Sequence, residues 1–347
     1  MWYVGLDVHW RLTNYCILDD GGKVVKEGVV RGHWNEVVSM LAKLEQPFEV
    51  CYEASCGYGH LYDRIAARAR RVVVVHPGKV RWIFKSKRKN DRIDARKLAK
   101  LLLLDEAPAV HVPTLAVRQW RMLIEFRRKL VDKRVAVKNQ LRAFLRTHGV
   151  ESHTGRSLWT KKGLAFLRDL ELDALALLQR DVLLCELEGV NLQIRRVTKE
   201  LDEAGRKHAG VQLLRTIPGV GPRTAEAVVA YLDDPKRFKR NKCVGAYLGL
   251  VPCEDSTGGV HRLGHITKDG PATVRKLLIE AAWQGVRRSA KIKAFHERVR
   301  REDPQRGKIA LIATAHWLAR VMHAMLRDGT VWDEPAAAAP APTAAAA

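Results

Sequence analysis

The sequence predicts an α/β domain at the N-terminal end and a mainly helical remainder. Three observations predict this. The first hundred residues alternate short β-rich runs with helical spacing. Residues 115–148 then hold one long helical pattern without Gly or Pro, and a second such pattern runs over about 181–208. Beyond 210, glycine- and proline-bearing turns separate shorter helical stretches.

In order, residues 2–8, 13–19 and 24–30 read as strands, and Asp19-Asp20-Gly21-Gly22 gives a hairpin signal between the last two. Val37, Val38, Leu41 and Leu44 place a helix over 34–44. A strand at 48–53, a helix at about 58–69 and a strand at 71–75 before Pro77 follow, and a helix begins near Asp91. The order βββαβαβα predicts three antiparallel strands continued by crossover units, a mixed sheet of the ribonuclease-H-like kind. In the helix at 181–208, Leu187, Val190, Ile194, Val197, Leu201 and Ala204 recur at alternating steps of three and four, a coiled-coil seam. It pairs either with helix 115–148 as a hairpin or with another chain. Residues 149–180 read as a helical or looped tip. The expected domains are 1–110, 115–208 and 210–330, followed by a disordered Ala/Pro tail at 335–347.

The net charge is +23 over 347 residues, while 47% of residues are hydrophobic. A foldable chain with that excess points to a polyanionic partner. No apolar stretch approaches the roughly 20 residues that span a bilayer, so no membrane association is expected. The start lacks a charged leader, and the six cysteines form no Cys-x-x-Cys pair. A reducing, cytoplasmic location is expected, without a zinc site. Cys16 and Cys51 lie in apolar runs and read as small core residues.

Four carboxylates stand out. Asp7 lies in Trp2-Tyr3-Val4-Gly5-Leu6-Asp7-Val8, Glu53 ends Phe48–Glu53, and Asp91 and Asp94 are three apart at a helix start. A charge at the end of an apolar strand needs a partner or a metal. Together the four can hold one or two Mg²⁺ ions, with Mn²⁺ as the alternative, through oxygen ligands. Each also has a plainer reading: Asp91 as a helix cap, Asp94 as a charge favoured by the helix dipole, Glu53 as a turn cap. Ten bases crowd residues 79–100, among them Lys85, Lys87, Arg88 and Lys89, and helix 115–148 carries Arg127 and Arg128. These read as phosphate contacts or as a solvated face.

Two further motifs follow. Arg215-Thr216-Ile217-Pro218-Gly219-Val220-Gly221-Pro222-Arg223 joins two helical stretches and looks like a helix–hairpin–helix. Gly219 and Gly221 let backbone approach a phosphate, with Arg215 and Arg223 alongside; the plainer reading is a tight turn between packed helices. The stretch 252–270 reads as flexible and holds Ser256, Thr257, paired glycines, Arg262 and Lys268, with Arg275 in the helix beyond. A hydroxyl there can attack phosphate if a base or metal activates it.

These motifs, in this order, resemble the one-ten family of bacterial insertion-sequence transposases, bridge-RNA-guided recombinases. The resemblance covers residues 1 to about 328. It rests on Gly5-Leu6-Asp7-Val8, Tyr52-Glu53-Ala54-Ser55-Cys56-Gly57, Asn90-Asp91-Arg92-Ile93-Asp94-Ala95, Ile217-Pro218-Gly219-Val220-Gly221, Ser256-Thr257-Gly258-Gly259 and Gly264-His265-Ile266-Thr267-Lys268-Asp269-Gly270. It implies a RuvC-like Asp-Glu-Asp-Asp domain, a coiled-coil middle and a mainly helical transposase domain. It implies that Asp7, Glu53, Asp91 and Asp94 bind the metal, and that Ser256 attacks a DNA phosphate to leave a 5′-phosphoserine link. Partners implied are DNA (element ends and target) and a structured guide RNA; a homo-oligomer, dimer or tetramer, is expected. Here Thr257 stands where relatives often show a second serine, and Val260 where they often show Lys. Two other classes fit the residues less completely: a hydrolytic Holliday-junction nuclease using metal alone, and a non-catalytic nucleic-acid scaffold.

Overall fold

The computed structural model describes residues 1–55, 57–83, 91–151 and 157–334, with the side chains of 81–83 and of 91 outside the description. Lys85, Lys87, Arg88, Lys89 and the 335–347 tail therefore lie outside the described residues. The chain divides into two compact units, Met1–Arg118 and Gln119–Ala347.

The first unit runs β1 (Trp2–Val8), β2 (Leu12–Leu18), β3 (Val24–Arg31), α1 (Trp34–Ala42), β4 (Phe48–Glu53), α2 (Tyr58–Ala66), β5 (Arg71–Val75), α3 (Pro77–Ile83) and α4 (Asp91–Leu103). The sheet order is β3-β2-β1-β4-β5. β1, β2 and β3 pair antiparallel, while β1, β4 and β5 are parallel, the mixed sheet that the element order predicts. Between β2 and β3 the Asp19 carboxylate accepts from the N–H groups of Gly21 (3.0 Å) and Lys23 (2.9 Å), and Gly22 turns at φ +77. Pro77 does more than stop β5; it opens α3, where its missing N–H costs nothing.

Alternation divides the sheet into two faces. Val4, Leu6, Val50 and Tyr52 pack with Trp34, Val37, Leu41, Leu61 and Ile65 from α1 and α2. The opposite face is covered by α4, whose Leu98 and Leu102 meet Cys51, Val73 and Val75, and whose Ala95 and Ala99 meet Cys16 and Leu18. Cys16 and Cys51 are buried free thiols in this layer. Gly5 fixes how closely α4 lies: a Cβ there would stand 2.1 Å from the Ala95 carbonyl oxygen and 2.4 Å from the Ala99 nitrogen.

In the second unit, α5 (Leu115–Thr147, its first turn in the preceding unit), α6 (Lys161–Arg168) and α7 (Ala174–Lys207) come first. α5 and α7 lie side by side and antiparallel. Arg127 Nε donates to Thr198 Oγ1 (2.8 Å), Lys133 pairs with Glu186 (3.2 Å), and Leu130 packs on Val190 and Ile194. Further along, Leu141, Phe144 and Leu145 meet Ala176, Leu184 and Leu187, with Leu158 and Leu167 of the tip closing that end. The apolar seam is thus used within the chain. Its last step falls on buried Gly205, while Ala204 is exposed. α7 begins at Ala174, seven residues before the sequence pattern places it, because the Asp173 carboxylate accepts from Leu175 N–H (3.0 Å) and Ala176 N–H (2.9 Å).

α8 (Ala209–Leu214), α9 (Pro222–Leu232), α10 (Asn241–Tyr247), β6 (Pro252–Glu254), β7 (Leu263–Ile266), α11 (Ala272–Arg288), α12 (Ala290–Arg300) and α13 (Gly307–Asp328) complete the unit. Leu214, Ile217, Val228, Leu248, Leu278, Ile292, Leu318 and Met322 form its core. The expectation that no apolar stretch approaches membrane-spanning length is corrected here. Among the described residues one helix, Pro304–Asp328, is long and apolar enough by length and composition, its most apolar 18-residue window having a mean hydropathy of 1.4. Its buried side, including Ala315, Leu318, Ala319 and Met322, is part of this core, which accounts for its apolar character.

Candidate active site

Asp7 and Glu53 occupy equivalent places. Leu6 of β1 is in register with Tyr52 of β4, and the two acids each follow by one residue, at the carboxyl ends of adjacent parallel strands. Alternation puts Asp7 on the face of Gly5, and Glu53 on the face of Cys51, which is the face that α4 covers. α4 runs antiparallel to β1. Its late residues Leu102 and Leu103 pack near Tyr3, and its earlier Ala95 and Ala99 lie on Gly5. The first turn of α4, with Asp91 and Asp94, is therefore directed toward the strand ends that carry Asp7 and Glu53.

Two of the acids have a basic side chain beside them. His9 Nε2 stands 3.4 Å from Asp7 Oδ2, and Lys97 Nζ 3.2 Å from Asp94 Oδ1. Burial pushes the Cys51 thiol up to about 12, and the charge of nearby Glu53 adds to the shift. The floor of this region is thus dry, and carboxylates above it are costly unless paired. The Asp91 side chain lies outside the described residues, and among the described residues no three acidic, histidine or cysteine side chains close into a metal cage. The donor set itself, carboxylate oxygens alone, suits a hard divalent cation.

The second motif forms a helix–turn–helix of α8, residues 215–221 and α9. Gly219 turns at φ +89, and a Cβ there would stand 2.6 Å from the Gly285 nitrogen of α11, so its bareness serves close packing. Gly221 precedes α9 as its N-cap and has open space around it. Arg215 is exposed. Arg223 points inward, bonded to Asp202 and to Glu226 Oε1 (2.8 Å). On α5, Arg127 is held by Thr198, and burial lowers its pKa, with the Arg223 charge adding. Arg128 is shared between Glu125 (2.9 Å) and Asp132 (2.6 Å).

The stretch expected to be flexible is a β-hairpin. β6 and β7 pair with Glu254 opposite Leu263, Asp255 N–H donates to Arg262 O (2.9 Å), and Thr257 bridges to Val260. Gly258 and Gly259 turn at φ +58 and +81, the two left-handed positions that a tight type I′ turn requires. Ser256 is exposed beside this turn, with Arg262 and Lys268 exposed nearby in the chain. Its Oγ donates to Glu254 Oε1 (2.8 Å) and lies 3.5 Å from His261 Nδ1. Arg275 instead ties the hairpin's far end to α11, donating to the carbonyls of Leu248 (3.0 Å) and Asp269 (2.8 Å). Sequence reasoning missed Glu254 and His261 as neighbours of Ser256. The signal was present: two glycines in a turn fix the register that sets residue 256 opposite 261.

Comparisons with known proteins place the chain among transposases. Residues 211–297 match the family model described as Transposase IS116/IS110/IS902 family, and residues 4–149 match the DEDD-type model of IS110 transposases. A putative transposase of Sinorhizobium fredii, y4qE, is 32% identical over 293 residues, covering 81% of this chain and 71% of its own. The transposase for insertion sequence element IS1111A of Coxiella burnetii is 29% identical over 282 residues, covering 80% and 76%. A probable family 20 transposase of Pseudomonas aeruginosa is 29% identical over 296 residues, covering 82% and 86%. These matches, to two transposase models and to relatives named as transposases, define the class: a DNA transposase. The chain belongs to the IS110 family of insertion-sequence transposases.

Proposed function

We propose that this transposase cuts and rejoins DNA through Ser256, with Asp7, Glu53, Asp91 and Asp94 holding one or two Mg²⁺ ions, or Mn²⁺, and with a structured RNA choosing the sites. The observation that carries the metal part is the placing of Asp7 and Glu53 at neighbouring strand ends, on the face where Gly5 seats α4 and directs its first turn toward them. A divalent cation bound there supplies charge stabilisation to a phosphate in transfer. Ser256 is supported as nucleophile by its exposure on a tight hairpin among cations and by its engaged hydroxyl. Exposed cations and the net charge of +23 suit nucleic-acid phosphates. RNA guidance then separates roles: pairing reads sequence, and the protein holds shape and backbone. The N-terminal unit is read as RuvC-like, the α5/α7 hairpin as the coiled-coil middle, and the chain as acting in a homo-oligomer.

The test is a denaturant-resistant protein–DNA adduct formed with element-end DNA, co-purified RNA and Mg²⁺. Ser256→Ala is expected to abolish the adduct while binding nucleic acid normally, and Asp7→Ala to abolish strand cleavage. Cleavage without any adduct replaces this reading with hydrolysis by metal-activated water. Full activity of Asp7→Ala and Asp94→Ala, or of the wild type in excess chelator, removes the metal site, and recombination of a defined site by RNA-free protein removes RNA guidance.

A further inference from the structure

The hairpin that exposes Ser256 also equips it. The bridge between Thr257 and Val260 sets residue 256 across from 261, and alternation puts Glu254 on the same face as Ser256. Three side chains converge as a result. Ser256 Oγ donates to Glu254 Oε1 at 2.8 Å, His261 Nδ1 lies 3.5 Å from that Oγ, and the same Nδ1 lies 3.5 Å from Glu254 Oε1. A linear carboxylate–imidazole–hydroxyl relay uses one ring nitrogen for each partner. Here one nitrogen faces both oxygens, so the group is a triangle, and the carboxylate is the hydroxyl's direct partner.

We infer that Glu254 is the proton acceptor for Ser256, and that His261 carries the proton onward. The inference rests on Ser256 being the nucleophile. As Oγ attacks, the Oγ–P bond forms and the bond from phosphorus to the leaving sugar oxygen breaks. The Oγ proton passes to Glu254 Oε1 and then to His261 Nδ1, from which it reaches solvent; the leaving oxygen takes a proton from water. Rejoining runs the same transfers in reverse. An alcohol is a weak nucleophile until a base removes its proton, and the contact lies within the reach that general-base catalysis needs. Both partners are exposed, with side chains 57% (Glu254) and 80% (His261) open to solvent. A hydrogen bond so exposed adds little to stability, so a structural role and a catalytic one separate cleanly.

The decisive measurement is the rate of adduct formation by the full-length protein with its co-purified RNA, alongside DNA affinity and thermal midpoint. Glu254→Gln keeps an oxygen for the hydroxyl to meet but cannot take its proton. It is expected to slow the adduct on the order of 100-fold, and His261→Asn about tenfold, with affinity and midpoint unchanged. In a Ser256→Cys background, Glu254→Gln is expected to cost far less, because a thiol ionises without a strong base; where that background gives no adduct, the serine comparison decides alone. An adduct rate within about threefold of the wild type in either variant overturns that residue's assignment, and so does a loss of rate matched by lost affinity or a lowered midpoint. A wild type that cuts DNA with no adduct is a different result: it removes Ser256 as nucleophile, and this inference with it.

Discussion

Glu226 on α9 is 1% exposed, and its pairing is incomplete. Oε1 accepts from Arg223 (2.8 Å), but Oε2 and Arg223 NH1 are buried without a hydrogen-bond partner among the described residues. Gly205 of α7 makes room for the carboxylate: a Cβ there would stand 2.7 Å from Oε1. Burial pushes the carboxyl from its ordinary 4.5 to about 7, with Arg223 pulling the other way and Asp202 reinforcing the rise. Between those two values the folded chain binds more protons at this site than the unfolded chain does. Stability contributed here is therefore highest at low pH and falls as pH rises through the folded value. At 1.36 kcal/mol per pKa unit, the fall amounts to about 2–3 kcal/mol by pH 8, water entry taking some of it. Glu226→Gln mimics the protonated acid at every pH. It is expected to match the wild type near pH 4.5 and to exceed it at pH 8, by roughly 5–10 °C in the melting midpoint of its unit. Urea or thermal unfolding of both proteins at the two pH values reads this directly. A glutamine variant that is less stable at pH 8, or a difference that does not change with pH, refutes the reasoning and makes the Arg223–Glu226 pair a net source of stability.

Gly5→Ala is expected to destabilise the first unit by about 1–3 kcal/mol or more, since the added methyl meets helix backbone; circular dichroism melting reads the loss, and an unchanged midpoint means that α4 yields easily. Neutralising the exposed Lys129, Arg146 and Arg215 together is expected to lower the salt slope of duplex binding by about 2–3. An unchanged slope assigns those charges to a merely solvated surface. Arg127→Ala, by contrast, is expected to cost stability as well as binding, because that guanidinium holds α5 to Thr198 of α7.

What the sequence made legible was periodic. Every strand of the first unit, the two long helices and the mixed pairing of the sheet follow from alternation, helical spacing and turn residues. What it concealed depended on tertiary contact. Gly5 reads as one small residue in an apolar strand, and only the docked helix shows why no side chain fits there. Arg127, Arg128 and Arg223 look like free cations in a basic chain, yet each is already bonded to a neighbour on α5, α7 or α9. Asp173 was a missed local signal, a cap standing just before a helix whose apolar seam begins only at Leu187. The hairpin at Ser256 was hidden because its strands are short and exposed and one begins with proline, so neither alternation nor β-branched residues marked it.

The α5 helix has one consequence of scale. Its 33 residues rise about 50 Å along the axis, and α7 braces it over much of that span. Duplex nucleic acid advances about 3.4 Å per base pair along each strand, so a braced rod of this size is a yardstick of about 15 base pairs. Lys129 and Arg146, both exposed, are marks on it about 25 Å apart. They also stand about 100° apart around the helix, so a straight duplex on one side of the rod faces only one of them, and one shorter than about seven base pairs cannot span the distance between them.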